Sequence, residues 1–271
     1  MRIRVRHATT YAYEQPAHGV IQALRVTPVE HEGQQVLTWR VDVDVDGLMR
    51  ETRDAFGNVL HLFYADGPVT QLTVRVTGEV EVRETHGVVR GAAEPLPPAT
   101  FLRPTPLTEA DAALAAWAEA ITAADTLSRL HRLMRELAGR MRFDAAATGV
   151  ETSAAEAFRE GHGVCQDYAH VFIAAARRMG VPARYVSGHL CRPEANEQEA
   201  AHAWAEAYVA DLGWTGFDPA NGICPDQTYL RVAVGLDYLD AAPLRGARRG
   251  GGQERLNVAV LAREAGRQRQ D

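Results

Sequence analysis

The chain has 271 residues, 46% hydrophobic and 24% charged, the composition of a soluble globular protein with one large domain or two smaller ones and a core that needs no staples. A formal net charge of −6 argues against nucleic acid or an anionic membrane surface as the main partner, because both demand concentrated positive charge. Cys165, Cys191 and Cys224 are an odd number with no paired short spacing, so neither a disulfide framework nor a zinc knuckle is indicated.

From residue 1 to about 90 the pattern has period two, as in RIRVRH (2–7), LTWRVDVDVDG (37–47) and LTVRVTGEVEVRE (72–84). Such segments predict strands with one dry and one wet face, separated by turns such as Phe56-Gly57-Asn58, and together an antiparallel β-sandwich-like or half-barrel domain. The N-terminus lacks the apolar core of a signal peptide and no segment reaches the roughly 18 apolar residues of a membrane span. The expected compartment is a reducing cytoplasm.

Residues 91–107 carry five prolines in 17 positions and read as a linker, since proline blocks both helix and central strand. A second domain is expected over 108–262. It opens with a capping-box pattern at Thr108 and Asp111, followed by a helix whose stripe is Leu127, Leu130, Leu133, Met134 and Leu137. A further helix is expected from about Cys165 to Met179, ended by Gly180 and Pro182. Strands ARYVSGHL, AHAWAEAYV and WTGFDP follow. More strand material brackets the Gly/Arg-rich RGARRGGG, read as a solvated loop, and 263–271 reads as a frayed tail.

The chemistry concentrates in GHGVCQDYAH (161–170), where a glycine-broken loop runs into an apolar helix at Cys165. Unpaired N–H groups at a helix start favour a thiolate there. AHAWAEAYV alternates strictly, so His202, Trp204, Glu206 and Tyr208 share one face and the alanines the other. Asp218 closes the next strand, and even parity puts it on the face of His202. A tight turn at Asp211-Leu212-Gly213 would set Glu206, not His202, opposite Asp218; a slipped register or a bulge is needed to bring Asp218 to His202. Cys165, His202 and Asp218 supply nucleophile, proton carrier and orienting carboxylate, with the Cys165 N–H as an oxyanion donor. Gly163 is expected to let substrate backbone approach, Gln166 and Glu206 to line the pocket, and Trp204 to shield the ion pair. Asp167 and His170 are open between helix packing and pocket roles. No metal or cofactor is expected, as no metal-helix motif such as HExxH is present.

These motifs resemble the bacterial transglutaminase-like proteins, described as cysteine proteases. The resemblance rests on GHGVCQDYAHVFIAAARRMGVPARYVSGHL, AHAWAEAYVADLGWTGFDPANG and VAVGLDY, and extends to RIRVRHATTYAY and DAFGN (54–58). It implies an α+β class: an N-terminal β-domain followed by a papain-like or transglutaminase-like core with the catalytic helix on an antiparallel sheet. It also implies hydrolysis of peptide or isopeptide amides through an acyl-enzyme thioester, with a peptide or protein substrate that an amide-ligase system could supply. Acyl transfer to an amine and a catalytically silent protein-binding module are the alternatives. Phe143 stands where relatives carry tyrosine, so a hydroxyl that could help bind the oxyanion is missing.

Overall fold

The computed structural model describes residues 1–145, 148–191 and 201–265. The N-terminal strands are β1 (Arg2–Thr27), β2 (Gln34–Val43), β3 (Leu48–Arg53), β4 (Val59–Ala65) and β5 (Val69–Val82). A short β6 (Val88–Val89) and a 3-10 turn at Pro98–Leu102 lead to α1 (Ala112–Ala120), α2 (Thr126–Arg140) and β7 (Arg142–Phe143). Then come α3 (Ala154–Glu160), β8 (His162–Gly163), α4 (Cys165–Arg178), β9 (Ala183–Leu190), β10 (Ala201–Val209), β11 (Gly213–Phe217) and β12 (Tyr229–Gly235). The chain closes with α5 (Tyr238–Ala241), β13 (Leu244–Gly250) and β14 (Glu254–Glu264). Among the described residues no helix is long and apolar enough to cross a membrane.

The long β1 organises the first sheet. Its first half lies between β5 and β14, its second between β4 and β13, with a register shift between Ala12 and Ala17 where it turns from β5. The result is one seven-stranded sheet that encloses an apolar cluster of its own, including Leu24, Phe63, Leu72 and Val74. Two expectations change here. RGARRGGG is not a solvated loop: residues 244–250 form β13. And the last two strands, expected with the second domain, complete the first sheet by pairing with β1. Their alternation marked them as strands but carried nothing about the partner. Of the tail expected over 263–271, residues 263–264 belong to β14 and 266–271 lie outside the described residues.

The second sheet has the order β12-β9-β10-β11-β6. The small face of β10, Ala203, Ala205 and Ala207, is buried in one cluster with Ala169, Phe172 and Ala176 of α4, as the alternation requires. α1 starts at Ala112 with Asp111 as its cap, accepting from the Leu114 N–H at 2.8 Å. Thr108, expected to open a capping box, instead bonds Thr105 and Arg177. Arg177 also donates to the carbonyls of Phe101, Ala183 and Leu236, which ties the proline-rich stretch to the core. That stretch is packed: Phe101 is buried against Trp214 with ring centroids 5.0 Å apart.

Two amides join the sheets. Asn58 donates to Val234 O at 2.7 Å and accepts from Val234 N at 2.8 Å, while Gln34 does the same for Arg231 at 2.8 and 2.9 Å. Both cover the backbone of β12, the edge strand of the second sheet. Asp54 holds the DAFGN turn by accepting from Phe56, Asn58 and Arg25. Asn58→Ala would strand both Val234 backbone groups, so it should cost roughly 2–3 kcal/mol, read as a lower denaturant midpoint.

Candidate active site

α3 ends at Gly161, which takes the left-handed conformation (φ 70°) that glycine adopts without strain. The chain then pairs β8 with β7 in parallel and enters α4, whose first residue is Cys165 after the cap Val164. Asp167 fixes this start by accepting from the Val164 N–H at 2.8 Å and the Thr148 hydroxyl at 2.6 Å. Burial pushes its carboxyl up against those bonds. The glycine at 163 makes room for this cap: a Cβ there would stand 2.5 Å from the Asp167 carboxylate.

His202 and Asp218 meet. His202 Nε2 is 2.6 Å from Asp218 Oδ2, and their side chains are 10% and 0% exposed. The β10–β11 register pairs Ala205 with Phe217 and Val209 with Gly213, so Asp218 falls diagonally from His202 on the same face. No bulge is needed: three residues between Val209 and Gly213 set a register two positions from the one a tight Asp211–Gly213 turn implies. Asp218 Oδ2 also accepts from Asn221 Nδ2 and Tyr229 OH at 2.7 Å each, and Oδ1 from the Ala220 and Asn221 N–H groups at 3.0 and 3.2 Å. Burial alone would raise this carboxyl, but the His202 hydrogen bond and charge, with Asn221 and Tyr229, hold it below its ordinary value.

Burial also disfavours a charged His202, yet hydrogen bonds to Asp218 and Cys165 and the attraction of both lift it to about 9. These partners favour the protonated imidazole. With Nε2 committed to Asp218, Nδ1 is the nitrogen left for the Cys165 thiol. Trp204, 2% exposed, lies beside the His202 ring with centroids 6.3 Å apart and closes one side to water. Gln166 binds the Val150 carbonyl at 3.1 Å next to the nucleophile. His170 is fully buried, accepts from the Tyr238 N–H at 3.1 Å, and burial with the nearby Arg177 charge lowers it to about 3.

Glu206, expected in the pocket, does not line the cavity at Cys165 and His202. It is 1% exposed and pairs with Arg184 at 2.7 Å and Arg231 at 2.8 Å, and Arg184 in turn holds Glu94. Burial would raise this carboxyl; the two guanidiniums keep it well below the usual range. Glu206→Gln leaves two buried cations short of charge, an expected loss of about 3 kcal/mol in denaturant unfolding. Phe143 is 57% exposed on β7 and brings no hydroxyl.

One wall of the site comes from the first sheet. A cavity of about 290 Å³ reaches Cys165 and His202 and is lined by His7, Thr9, Tyr11 and Arg25 of β1. The alternation in RHATTYAY (6–13) puts His7, Thr9 and Tyr11 on one face, a polar and aromatic face like that of His202 and Trp204. That was the signal available for them. Burial lowers His7 to about 4, so it stays neutral, bonded to Thr9 at 2.8 Å.

The Transglutaminase-like superfamily core matches residues 115–219, which include Cys165, His202 and Asp218. The Bacterial transglutaminase-like N-terminal region matches residues 3–81. An uncharacterised protein of Mycobacterium leprae is 32% identical over 274 residues, 96% of this chain and 97% of that one. A protein-glutamine gamma-glutamyltransferase of Pseudomonas aeruginosa is 32% identical over 109 residues, 36% of this chain and 16% of that protein. The crystal structure of a "putative cysteine protease" from Cytophaga hutchinsonii shares the fold, with a TM-score of 0.77 at 21% identity, covering 97% of this chain and 90% of that one.

Proposed function

We propose that this chain, which belongs to the transglutaminase-like superfamily and carries its bacterial N-terminal region, is a cysteine-dependent hydrolase of peptide or isopeptide amide bonds. The observation that carries the reading is His202 set between Asp218, 2.6 Å away, and Cys165 at the start of α4, with its imidazole pushed toward the cationic form by both. A cationic imidazole beside a thiol at a helix start favours the thiolate.

Cys165 Sγ attacks the carbonyl carbon. The resulting oxyanion is met by the Cys165 N–H, which has no intrahelical acceptor at the first position of α4. As the C–N bond breaks, the His202 imidazolium gives its proton to the departing amine, leaving a thioester and a neutral imidazole. Water then loses a proton to His202 as it attacks the thioester, the acid leaves, and the thiolate–imidazolium pair is restored. Asp218 holds the ring and stabilises its charged form throughout without taking the proton.

Acyl transfer to an amine is a second reading, favoured by the sequence similarity of about a third of the chain to the Pseudomonas glutamyltransferase. One experiment separates them. The protein is incubated with a peptide mixture and a millimolar alkylamine, and the products are weighed by mass spectrometry. New free acids and peptides truncated at amides support hydrolysis; amine adducts formed faster than free acid sink it in favour of transfer. If no acyl-Cys165 adduct and no product forms, the site is silent.

A further inference from the structure

We infer that the cavity between the first sheet and Cys165 is a specificity pocket for a bulky, uncharged apolar side chain of the amide substrate; this rests on the hydrolase reading above. The pairing of β14 with β1 sets Val258 opposite Thr9 and Leu256 opposite Tyr11, so all four side chains share the face that looks onto the cavity. Thr9 and Tyr11 are buried, whereas Leu256 and Val258 are 57% and 44% exposed. Apolar side chains are thus left open to solvent at the mouth of a cavity that ends on the nucleophile.

Much of the rest of the wall is apolar, with Gln166, Ser187 and His189 among its polar members. Val26, Val164, Val232 and Leu244 line it. Away from the Cys165 and His202 end, its polar points at His7, Tyr11, Tyr185 and Tyr238 are neutral. Burial keeps the hydroxyls of Tyr11, Tyr185 and Tyr238 protonated and His7 uncharged. Arg25, the one arginine at the wall among the described residues, is already paired with Asp54 at 2.7 Å. A substrate carboxylate or ammonium seated against β1 and β14, away from His202, would lose its water without gaining an opposite charge. The volume of about 290 Å³ sits at the lower end of small-molecule sites, which fits one large side chain rather than an extended ligand.

The first sheet is on this view part of the enzyme's recognition surface. β1 and β14 choose the side chain while α4, β10 and β11 carry out the reaction.

The test reads binding without catalysis. Cys165→Ala protein is titrated with N-acetylphenylalaninamide, the α-amide of N-acetylglutamate, and N-acetylargininamide, following NMR shifts. The phenylalanine compound should bind at least about tenfold more tightly than either charged one. Val258→Glu and, separately, Leu256→Glu at the half-open rim should each erase that preference. Equal binding of the three compounds, preference for a charged one, or a preference that survives both substitutions overturns the proposal. Iodoacetamide reactivity of Cys165 in the wild-type protein is measured alongside. An unreactive thiol with the apolar preference intact would remove the hydrolase reading and leave the pocket standing; a reactive thiol without the preference would do the reverse.

Discussion

Cys165→Ala and His202→Ala should each lower hydrolysis of an accepted acyl donor by about 10⁴-fold or more, and the double variant should be no slower than the worse single one. The non-additivity is the informative part. The Asp218 and Cys165 hydrogen bonds together lift the His202 imidazole, so once Cys165 or His202 is gone the other has no partner to act on. A binding module with a vestigial triad would show no such collapse. The thiol reports the same unit directly. An unpaired cysteine with pKa about 8.5 is almost entirely protonated at pH 6, so only a thiol activated by a neighbouring imidazolium reacts quickly there. The paired thiolate is intrinsically a weaker nucleophile, which returns part of the gain, so wild-type alkylation by iodoacetamide at pH 6 should exceed that of His202→Ala by about tenfold. Peptide mapping by mass spectrometry assigns the label. Cys165 labelling no faster than Cys191 or Cys224, or labelling indifferent to His202→Ala, would remove the basis for the chemistry.

The three candidate residues were legible because each sits in a local pattern that sequence exposes. Cys165 stands where a glycine-broken loop meets an apolar helix, and the structure makes it the first residue of α4. His202 stands on a strand whose small face had to pack on that helix, and it does. Parity alone put Asp218 on the same face. The pairing distance was not legible, because it depends on how many residues the hairpin leaves unpaired, and Asp211-Leu212-Gly213 suits more than one turn. The structure leaves three residues between Val209 and Gly213.

Glu206 shows a different limit. The alternation in β10 placed it on the face of His202, which is correct, but a face does not reveal what lies across it. Arg184 comes from β9 and Arg231 from β12, so only the strand order turns a candidate pocket acid into a buried ion pair. Gly163 meets the same limit: a glycine before a nucleophile suggests room, but not that the Asp167 carboxylate lies beside it. The wall made by His7, Thr9 and Tyr11 lies about 160 positions from Cys165 in the chain. No local pattern carries that distance, and β14 reaches the site only by closing onto β1. The sheet that looked like a separate domain is held to the core through Gln34 and Asn58, whose partners are backbone groups and hence silent in sequence.

Asp218→Asn should lower turnover by about 10³–10⁴-fold while leaving the fold intact, because it removes charge and little volume. The cause is read in His202. Burial alone drives that imidazole toward neutrality; Asp218 and Cys165 are what raise it to about 9. With the Asp218 charge gone, the alkaline limb of the wild-type rate profile, expected near 9, should move below 7. The stability consequence has a definite sign. His202 has a folded pKa above its ordinary 6.5, so its contribution is full below 6.5 and is lost as pH rises through 9. Asp218 has a folded value below its ordinary 3.8, so its contribution is present above 3.8 and is lost as pH falls through that lower value. The two overlap fully between about pH 4 and 6.5. A lift from 6.5 to about 9 corresponds to roughly 3 kcal/mol of linkage, shared between Asp218 and Cys165. Denaturant unfolding at pH 6 and pH 10 should therefore show wild type ahead of Asp218→Asn by a margin that shrinks as pH rises. A margin that is constant across that range would mean Asp218 acts through its hydrogen bonds to Tyr229, Asn221 and the turn backbone rather than through the charge on His202, and the protonated imidazole on which the mechanism depends would lose its support.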